Sequence, residues 1–577
     1  MGDAPSTLRL ILPANCALIE GSWTGAGYYT IRTSGGWGIG AIIGGGMAGG
    51  FGATPVSAAN VGANTVDSTL PLNRVNQAAG PVFGDPIDMA GGHFLYPNED
   101  LKTGVGEFPM SLAFNKLYSS ASRTQAGALG KGWTHNWVST AAVNSDGLQS
   151  MGEDSALDAA GIIAERLVSL DLMADAAMPL NKMVVATLGA RWGGEQLTGN
   201  TVIVKNGLNG EIFVKLPDGT YNAPPGNSAK LIRNADTTFS YESANKARLN
   251  FNTAGKATSY VHPSGMQVSF TYSGNDLTQV KNSLGRTLTL THVSGRVTNV
   301  SDGTRSVGYA YDASGNLATF TDATAKATTF QYDLPGRMTK FFLPANPTVA
   351  QVTNVYDTLE RVQTQTSALG KVSTFYFAGS RTEELAPLSR RTVSYLNGFG
   401  KVTKTISPTG KVTTNTYDGQ TRLVKTMLPE GNSVEYEYDD APCAAQQRCT
   451  HNVKTLRQVA KPGSGLATLT QGFTYESSFN KVATSTDARG KVTSYSYTAQ
   501  GLPLAVTSPA DAGGVQPVTT FGYTAYTAAG FPAFTLQTSV SQKSSATNTV
   551  LSTTAYNAAN KYVPQTVVAD AGTGKLN

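Results

Sequence analysis

From about residue 231 onward, apolar and polar positions alternate in short runs separated by glycine-centred turns. Lys411-Val-Thr-Thr-Asn-Thr-Tyr417 and Lys491-Val-Thr-Ser-Tyr-Ser-Tyr497 are typical. A period of two gives each run one apolar or aromatic face, the pattern of an antiparallel strand. The runs recur. Tyr311 and Tyr332 lie 21 residues apart, as do Tyr417 and Tyr438, whereas Tyr475 and Tyr497 are 22 apart, as are Tyr395 and Tyr417. A period near this length predicts stacked supersecondary units. The spacing stretches between Tyr438 and Tyr475, where a cysteine-bearing loop is inserted.

Each unit carries two turns. The first reads Tyr311-Asp312-Ala-Ser-Gly315-Asn316-Leu317 and is echoed by Tyr332-Asp333-Leu-Pro-Gly336-Arg337-Met338. Asp at the first position and Gly at the fourth is type I turn chemistry: the carboxylate accepts local N–H groups, and Gly takes a position that often needs φ > 0. Pro335 fits the third position poorly, so that turn is expected to be distorted. Tyr356-Asp357 has Glu360 where glycine is usual, Tyr475 is followed by Glu476, and Tyr417-Asp418 and Tyr438-Asp439 are further copies. The second turn reads Gly285-Arg286, Gly370-Lys371, Gly410-Lys411, Gly431-Asn432 and Gly490-Lys491. One hairpin cannot bury its own face. Hairpins set side by side bury an aromatic ladder and pair their inner edges, while each tyrosine hydroxyl needs a partner at the margin. Each Tyr-Asp pair therefore reads as structural. Tyr311, Tyr332, Tyr417, Tyr438 and Tyr497 are expected to be mostly buried and stacked at similar heights, in a continuous sheet almost free of helix over residues 240–560.

The first part of the chain differs. All five tryptophans fall there: Trp23, Trp37, Trp133, Trp137 and Trp192. That shift places a boundary near residues 220–235, where Asn222-Ala-Pro224-Pro225-Gly226-Asn227 reads as a linker. Ser155 with Asp158, then Ile163, Leu167, Leu170 and Ala174, mark a capped helical face; Pro179 breaks it, and Leu180, Val184, Leu188 and Trp192 resume it. A helical hairpin over 155–192 is expected. The chain thus divides into a glycine-rich segment 1–80, a β-rich domain 81–230 and repeats 231–577.

Composition removes several classes of function. Of 577 residues only 14% are charged, and a net charge of +5 comes without a Lys/Arg run of the kind that marks a nucleic-acid surface. The positive charges stand singly after turn glycines and read as solvated turn tips. Three cysteines make no disulfide framework. Cys443 and Cys449 are close enough to bridge in an oxidising compartment, with two free thiols as the other reading; Cys16 reads as a small buried hydrophobe. Residues 8–19 follow no basic segment and do not read as a signal peptide, so either the protein is cytoplasmic or its true N-terminus lies upstream. Residues 38–52 are too short and glycine-rich to span a bilayer. Gly44-x-Gly46-x-x-Gly49 matches the dinucleotide fingerprint in form, but no βαβ unit follows. His93, His135, His262, His292 and His451 lack metal-ligand spacing; His93 and His135 read as hydrogen-bonding residues near Trp133 and Trp137. No carboxylate pair stands out for glycosidase chemistry. No catalytic residue, cofactor or metal is expected.

The Tyr-Asp-x-x-Gly-(Asn/Arg)-Leu units resemble the YD repeats of the Rhs family, over roughly residues 240–560. That family includes bacterial Rhs effectors, the C components of Tc toxins, wall-associated proteins and the teneurins. A longer run precedes them: Gly84-Asp85-Pro86-Ile87-Asp88-Met89-Ala90-Gly91-Gly92-His93-Phe94, then Asp100-Leu101, Phe108-Pro109 and Leu112, Tyr118-Ser119-Ser120, and Leu129-Gly130-Lys131-Gly132-Trp133-Thr134-His135-Asn136. It is similar to the domain of unknown function that opens many bacterial Rhs proteins. Gly21-Ser-Trp23-Thr-Gly25-Ala-Gly27-Tyr28-Tyr29 resembles a segment that follows a transglutaminase-like module in larger members; a glycine-rich hairpin or disordered lead is the plainer reading.

The resemblance implies a mainly β protein: a spiral antiparallel sheet forming part of an Rhs cocoon, preceded by a β-rich domain carrying the helical hairpin. In toxin members the cocoon encloses a C-terminal toxin and is closed by a plug. Here the chain stops at Thr573-Gly-Lys-Leu-Asn577 in repeat-like sequence, truncated before plug and toxin. The function implied is a shell segment of a bacterial polymorphic toxin, secreted or at the cell surface, acting in competition between cells, with the absent toxin as its partner. The alternative is a surface adhesin that binds glycans on exposed tyrosines. A third reading is an enzyme whose catalytic domain lay upstream. Residues 231–577 are expected to be too few to close a cocoon, which leaves a free sheet edge that self-associates or frays beyond about residue 510.

Overall fold

The computed structural model describes residues 18–24, 28–33, 82–84, 86–144, 199–207, 209–216, 218–224, 227–440, 451–543 and 549–568. The helical hairpin expected over 155–192, the dinucleotide-like glycines, Cys16 and the Cys443/Cys449 pair lie outside them, and no described residue supports the hairpin. The protein is mainly β. Thirty strands, from Lys230–Arg233 to Val563–Val568, form one antiparallel sheet in which each strand pairs with its sequence neighbours. Among the described residues helix is confined to 3-10 turns of three residues, at Ser120–Ser122, Pro387–Ser389 and Ala558–Asn560.

The two turn classes of the sequence are one structure. Asp312 N–H donates to Asn316 O (3.0 Å), Gly315 N–H to Asp312 O (3.0 Å), and Asn316 N–H to Asp312 Oδ1 (2.9 Å), with Gly315 at φ 79°. Asn282 makes the same set with Gly285 and Arg286. This is a type I turn closed by a left-handed residue. Its first position favours a short acceptor side chain, so Asp, Asn and Ser interchange there, although Leu428 closes the same backbone turn with Gly431 and Asn432 without one. Glu476 also serves: its longer carboxylate accepts from the N–H groups of Ser478, Phe479 and Lys481. Glu360 takes the glycine position at φ 64°. The turn at Pro335 is distorted as expected: Leu334 pairs with Arg337, which leaves Pro335 and Gly336 as its two central residues.

A feature without sequence signature recurs beside the tyrosines. Register slips between Ala310 and Tyr311, Gln331 and Tyr332, Val355 and Tyr356, Thr416 and Tyr417, Glu437 and Tyr438, and Ser496 and Tyr497. Each slip is a β-bulge, and a bulge adds twist and bends the sheet. Repeated once per unit, it curls the sheet until it meets itself. Thr535 N–H donates to Ser264 O at 2.9 Å, and Phe534, Leu536 and Tyr562 bury with Met266 and Leu284 in a cluster at that seam. The expectation that these residues are too few to close is corrected to this extent: the wall completes one winding. Its last strand, Val563–Val568, pairs with Thr549–Asn557 alone and is largely exposed.

Upstream, the strands Leu95–Thr103, Leu112–Ser119 and Trp133–His135 form a small sheet. Leu112–Ser119 is buried along its full length. The main core extends from Ile87 through Trp133 and Trp137 into the large sheet as far as Leu396.

Candidate functional site

The candidate site is the core-facing side of the large sheet. Strand alternation puts the residue two before each repeat tyrosine on the same face as that tyrosine. In the early strands this position is Phe270, Tyr309, Phe330 and the polar Asn354, all buried, and Leu290 and Phe375 take the matching buried place before His292 and Phe377. The upstream domain covers them: Trp137 lies 5.9 Å from Phe270, Phe114 6.0 Å from Tyr309, and Trp133 and Tyr96 lie 5.0 and 5.4 Å from Phe330. In later strands the position is Tyr436, Phe473, Tyr495 and Phe521, all half-exposed. Among the described residues no hydrophobic side chain between Leu396 and Phe534 is buried. The same repeat thus builds a covered and then an uncovered apolar face. The other face carries charge in the uncovered region, where Lys425 pairs with Glu435 and Arg457 with Glu437.

The repeat tyrosines differ from their expected role. Tyr311, Tyr332, Tyr356, Tyr417, Tyr438 and Tyr497 are largely but not fully buried, and before Tyr311 and Tyr332 the fully buried rings, Tyr309 and Phe330, lie two residues earlier. Each hydroxyl instead donates to a carbonyl of the preceding hairpin: Tyr311 to Val297, Tyr332 to Leu317, Tyr356 to Met338, Tyr417 to Val402, Tyr438 to Leu423 and Tyr497 to Val482, at 2.6–3.1 Å. In every case the acceptor stands at the preceding bulge. Arginines of the preceding turn lie over several rings: Arg296 over Tyr311 (5.1 Å), Arg337 over Tyr356 (5.2 Å) and Arg422 over Tyr438 (4.5 Å). Arg337, Arg361 and Arg422 also pair with Asp333, Asp357 and Asp418 of their own turns. These arginines are packing elements, not solvated tips. Asp439 N–H donates to Asn452 O, 2.8 Å away, across the inserted loop.

The upstream domain is fastened to the sheet by contacts that sequence spacing does not reveal. Tyr118 Oη donates to Gly336 O and accepts from Met338 N–H, both at 2.8 Å. Trp133 Nε1 donates to Tyr332 Oη at 2.9 Å. Asn282 Nδ2 and Arg286 Nη1 donate to the backbone of Pro109 and Met110. Arg123 pairs with Glu360, which gives the non-glycine turn residue a purpose: its carboxylate is aimed at the docked domain, and the guanidinium holds it below the usual carboxylate range.

Acid–base or metal chemistry finds little footing. His135 is buried near Trp137, accepting from its N–H at 3.3 Å, and burial, with nearby His292, pulls it down to about 3. His93 sits instead by Asp88, Glu360 and Arg361, and burial lowers it too. Among the described residues no cluster of His, Cys, Asp and Glu could hold a metal ion. An open cleft of about 830 Å³ is lined by Asp357, Arg361, Phe377, Arg381, Glu383 and Arg391. Its carboxylates are taken by arginines, Asp357 by Arg361 and Glu383 by Arg381 and Arg391. No nucleophile–base pair is formed there. No helix among the described residues is long and apolar enough to cross a membrane.

Comparison with known families matches three models: the domain of unknown function DUF6531 over residues 84–157, the teneurin YD-shell over 238–484 and the RHS repeat over 477–512. No curated protein sequence matches. Solved structures with detectable likeness include the complex TcdB2-TccC3-Cdc42, at 13% identity and a TM-score of 0.33 over 63% of this chain and 24% of that one. The Tc holotoxin pore of Photorhabdus luminescens gives 11% identity and a TM-score of 0.32 over 62% and 24%. The N-terminal domain of the effector SpvB from Salmonella typhimurium strain LT2 gives 10% and 0.12 over 47% and 97%. Overlays this loose carry no argument about this chain, which spans about a quarter of the TcdB2-TccC3 chain. In their order, the three family models follow the architecture described above, an upstream domain and then a continuous wall of tyrosine-centred hairpins. The chain is a member of the Rhs/YD-repeat family.

Proposed function

We propose that this chain is a wall segment of a bacterial Rhs-type shell, secreted or surface-displayed, that holds a polypeptide cargo against its core-facing side. The cargo we propose is a C-terminal toxin. One observation carries the reading: the repeat position buried by the upstream domain at Phe270, Tyr309 and Phe330 lies half-exposed at Tyr436, Phe473 and Tyr495. A regular apolar stripe of this kind suits an occupant recognised through apolar area more than through directed polar contacts. The chain itself acts as scaffold and turns over no substrate. The adhesin reading is weaker, because the tyrosine hydroxyls that would contact a sugar are bonded within the sheet.

The test is titration with a reduced, unfolded polypeptide, read by fluorescence anisotropy. Saturable binding is expected, and is expected to be lost when Tyr436, Phe473 and Tyr495 are replaced together by Ser. Absence of polypeptide binding together with saturable binding of a glycan would favour the adhesin. Turnover abolished by a change at Cys16, His93 or His135 would overturn the scaffold reading.

A further inference from the structure

Among its described residues the upstream domain holds a fully enclosed pair of reactive groups. Lys116 and Asp100 stand on neighbouring strands, Leu112–Ser119 and Leu95–Thr103, and both side chains have 0% exposure. The pairing places Lys116 opposite Asn98, and the register then slips between Glu99 and Leu101. Asp100 is therefore the extra residue of a bulge, a device that re-aims a side chain. Its Oδ1 accepts from Lys116 Nζ and from Asn98 Nδ2 (2.6 Å), and its Oδ2 from Tyr309 Oη of the large sheet (2.7 Å). The Phe320 ring lies 3.5 Å from Nζ and Tyr96 5.7 Å.

We propose that Lys116 and Asp100 condense without any other protein into an amide between Nζ and Cγ, a covalent tie across the two strands. The chemistry balances with the groups present. In a dry, aromatic-lined enclosure a charged pair is costly, and transfer of one proton from Nζ to the carboxylate gives a neutral amine beside a neutral acid. Burial lowers the lysine in the same direction. The free amine attacks Cγ. Tyr309 Oη donates to Oδ2 and steadies the negative charge that grows there in the tetrahedral intermediate. The N–Cγ bond forms, the Cγ–Oδ1 bond breaks, and Oδ1 leaves as water with the acid proton and one proton from nitrogen. No oxidant or co-reactant is required. Held in contact, the two groups react at effective molarities on the order of 10⁵–10⁸ M, and exclusion of water from the site withholds the nucleophile that the reverse hydrolysis needs. Tyr309 comes from the large sheet, so the reaction waits until the domain has docked on the wall.

Mass spectrometry of the purified, denatured full chain tests this. The expected result is a mass lower than the sequence by one water, and a branched tryptic peptide in which Lys116 resists cleavage and carries the Asp100 segment. Lys116→Arg is expected to restore the sequence mass. A wild-type chain of full mass, cleaved normally after Lys116, would overturn the proposal whether or not any variant folds. Tyr309→Phe is expected to slow conversion after refolding at least tenfold; an unchanged rate would remove the role given to that hydroxyl.

Discussion

The hydroxyl of Tyr332 donates to the carbonyl of Leu317 at 2.8 Å, and Leu317 is the residue opposite Tyr311 at the preceding bulge. Tyr438 and Leu423 repeat the relationship one hairpin after Tyr417. Each bulge bends the wall, and the next tyrosine bonds a carbonyl at that bend. Curvature and stability are therefore properties of neighbouring units together, as in other repeat arrays.

Tyr438→Phe is expected to cost about 1 kcal/mol, the net worth of one hydrogen bond. Tyr438→Ala is expected to cost about 2 kcal/mol, below the roughly 3–5 kcal/mol of a fully buried aromatic, because the ring is not fully buried. Urea unfolding of the full chain measures both. A Phe variant as damaging as Ala would mean that the hydroxyl and not the ring dominates.

Opening the seam is expected to free the end of the wall. Phe534 is 1% exposed between Met266, Leu284 and Tyr562, so Phe534→Ala is expected to cost about 3–5 kcal/mol locally. Limited proteolysis should then cut the variant beyond about residue 510 while the wild type resists there. Equal sensitivity of both would mean that the Ser264–Thr535 contact does not hold in solution.

Two groups of side chains make stability fall in acid, in separable windows. His135 drops from an ordinary 6.5 to about 3 through burial, so the unfolded chain takes up the proton first. Its contribution is fully present above 6.5 and is lost progressively as pH falls toward the folded value. Glu360 and Asp333 are held below their ordinary values by bonds from Arg123 and Arg337. Their contribution is present above the ordinary carboxylate range, about 4, and is lost only below it. Thermal melts across pH are expected to show His135→Gln flattening the upper window and Arg123→Ala reducing the lower one. A His135→Gln profile parallel to the wild type would mean that folding does not change proton binding at His135.

Much of the wall was legible in the chain. Alternation gave the strands, and Asp, Asn or Ser followed by glycine gave the turns, because both patterns are imposed by local geometry. The need of each tyrosine hydroxyl for a partner was legible too, though not which partner. The bulges were not: the extra residues, such as Ala318, Thr339 and Val424, share no side-chain type, since what they change is backbone register. Nor could sequence separate Phe330 from Phe473. Both occupy the same repeat position, and only the tertiary placement of Trp133 and Tyr96 over Phe330 distinguishes them. Lys116 and Asp100 were equally hidden, as ordinary members of an alternating strand and of a bulge.

Site-specific photo-crosslinking bears on the cargo-holding wall without disturbing the fold. A photoreactive phenylalanine analogue is placed at Phe473, on the uncovered face, or at the neighbouring Thr474, exposed on the opposite face. The chain is then irradiated with an unfolded polypeptide. Capture from position 473 and not from 474 is the expected result. Equal capture from both positions, or none from 473 under conditions in which the polypeptide is present in excess, would contradict a wall whose core-facing side receives the cargo.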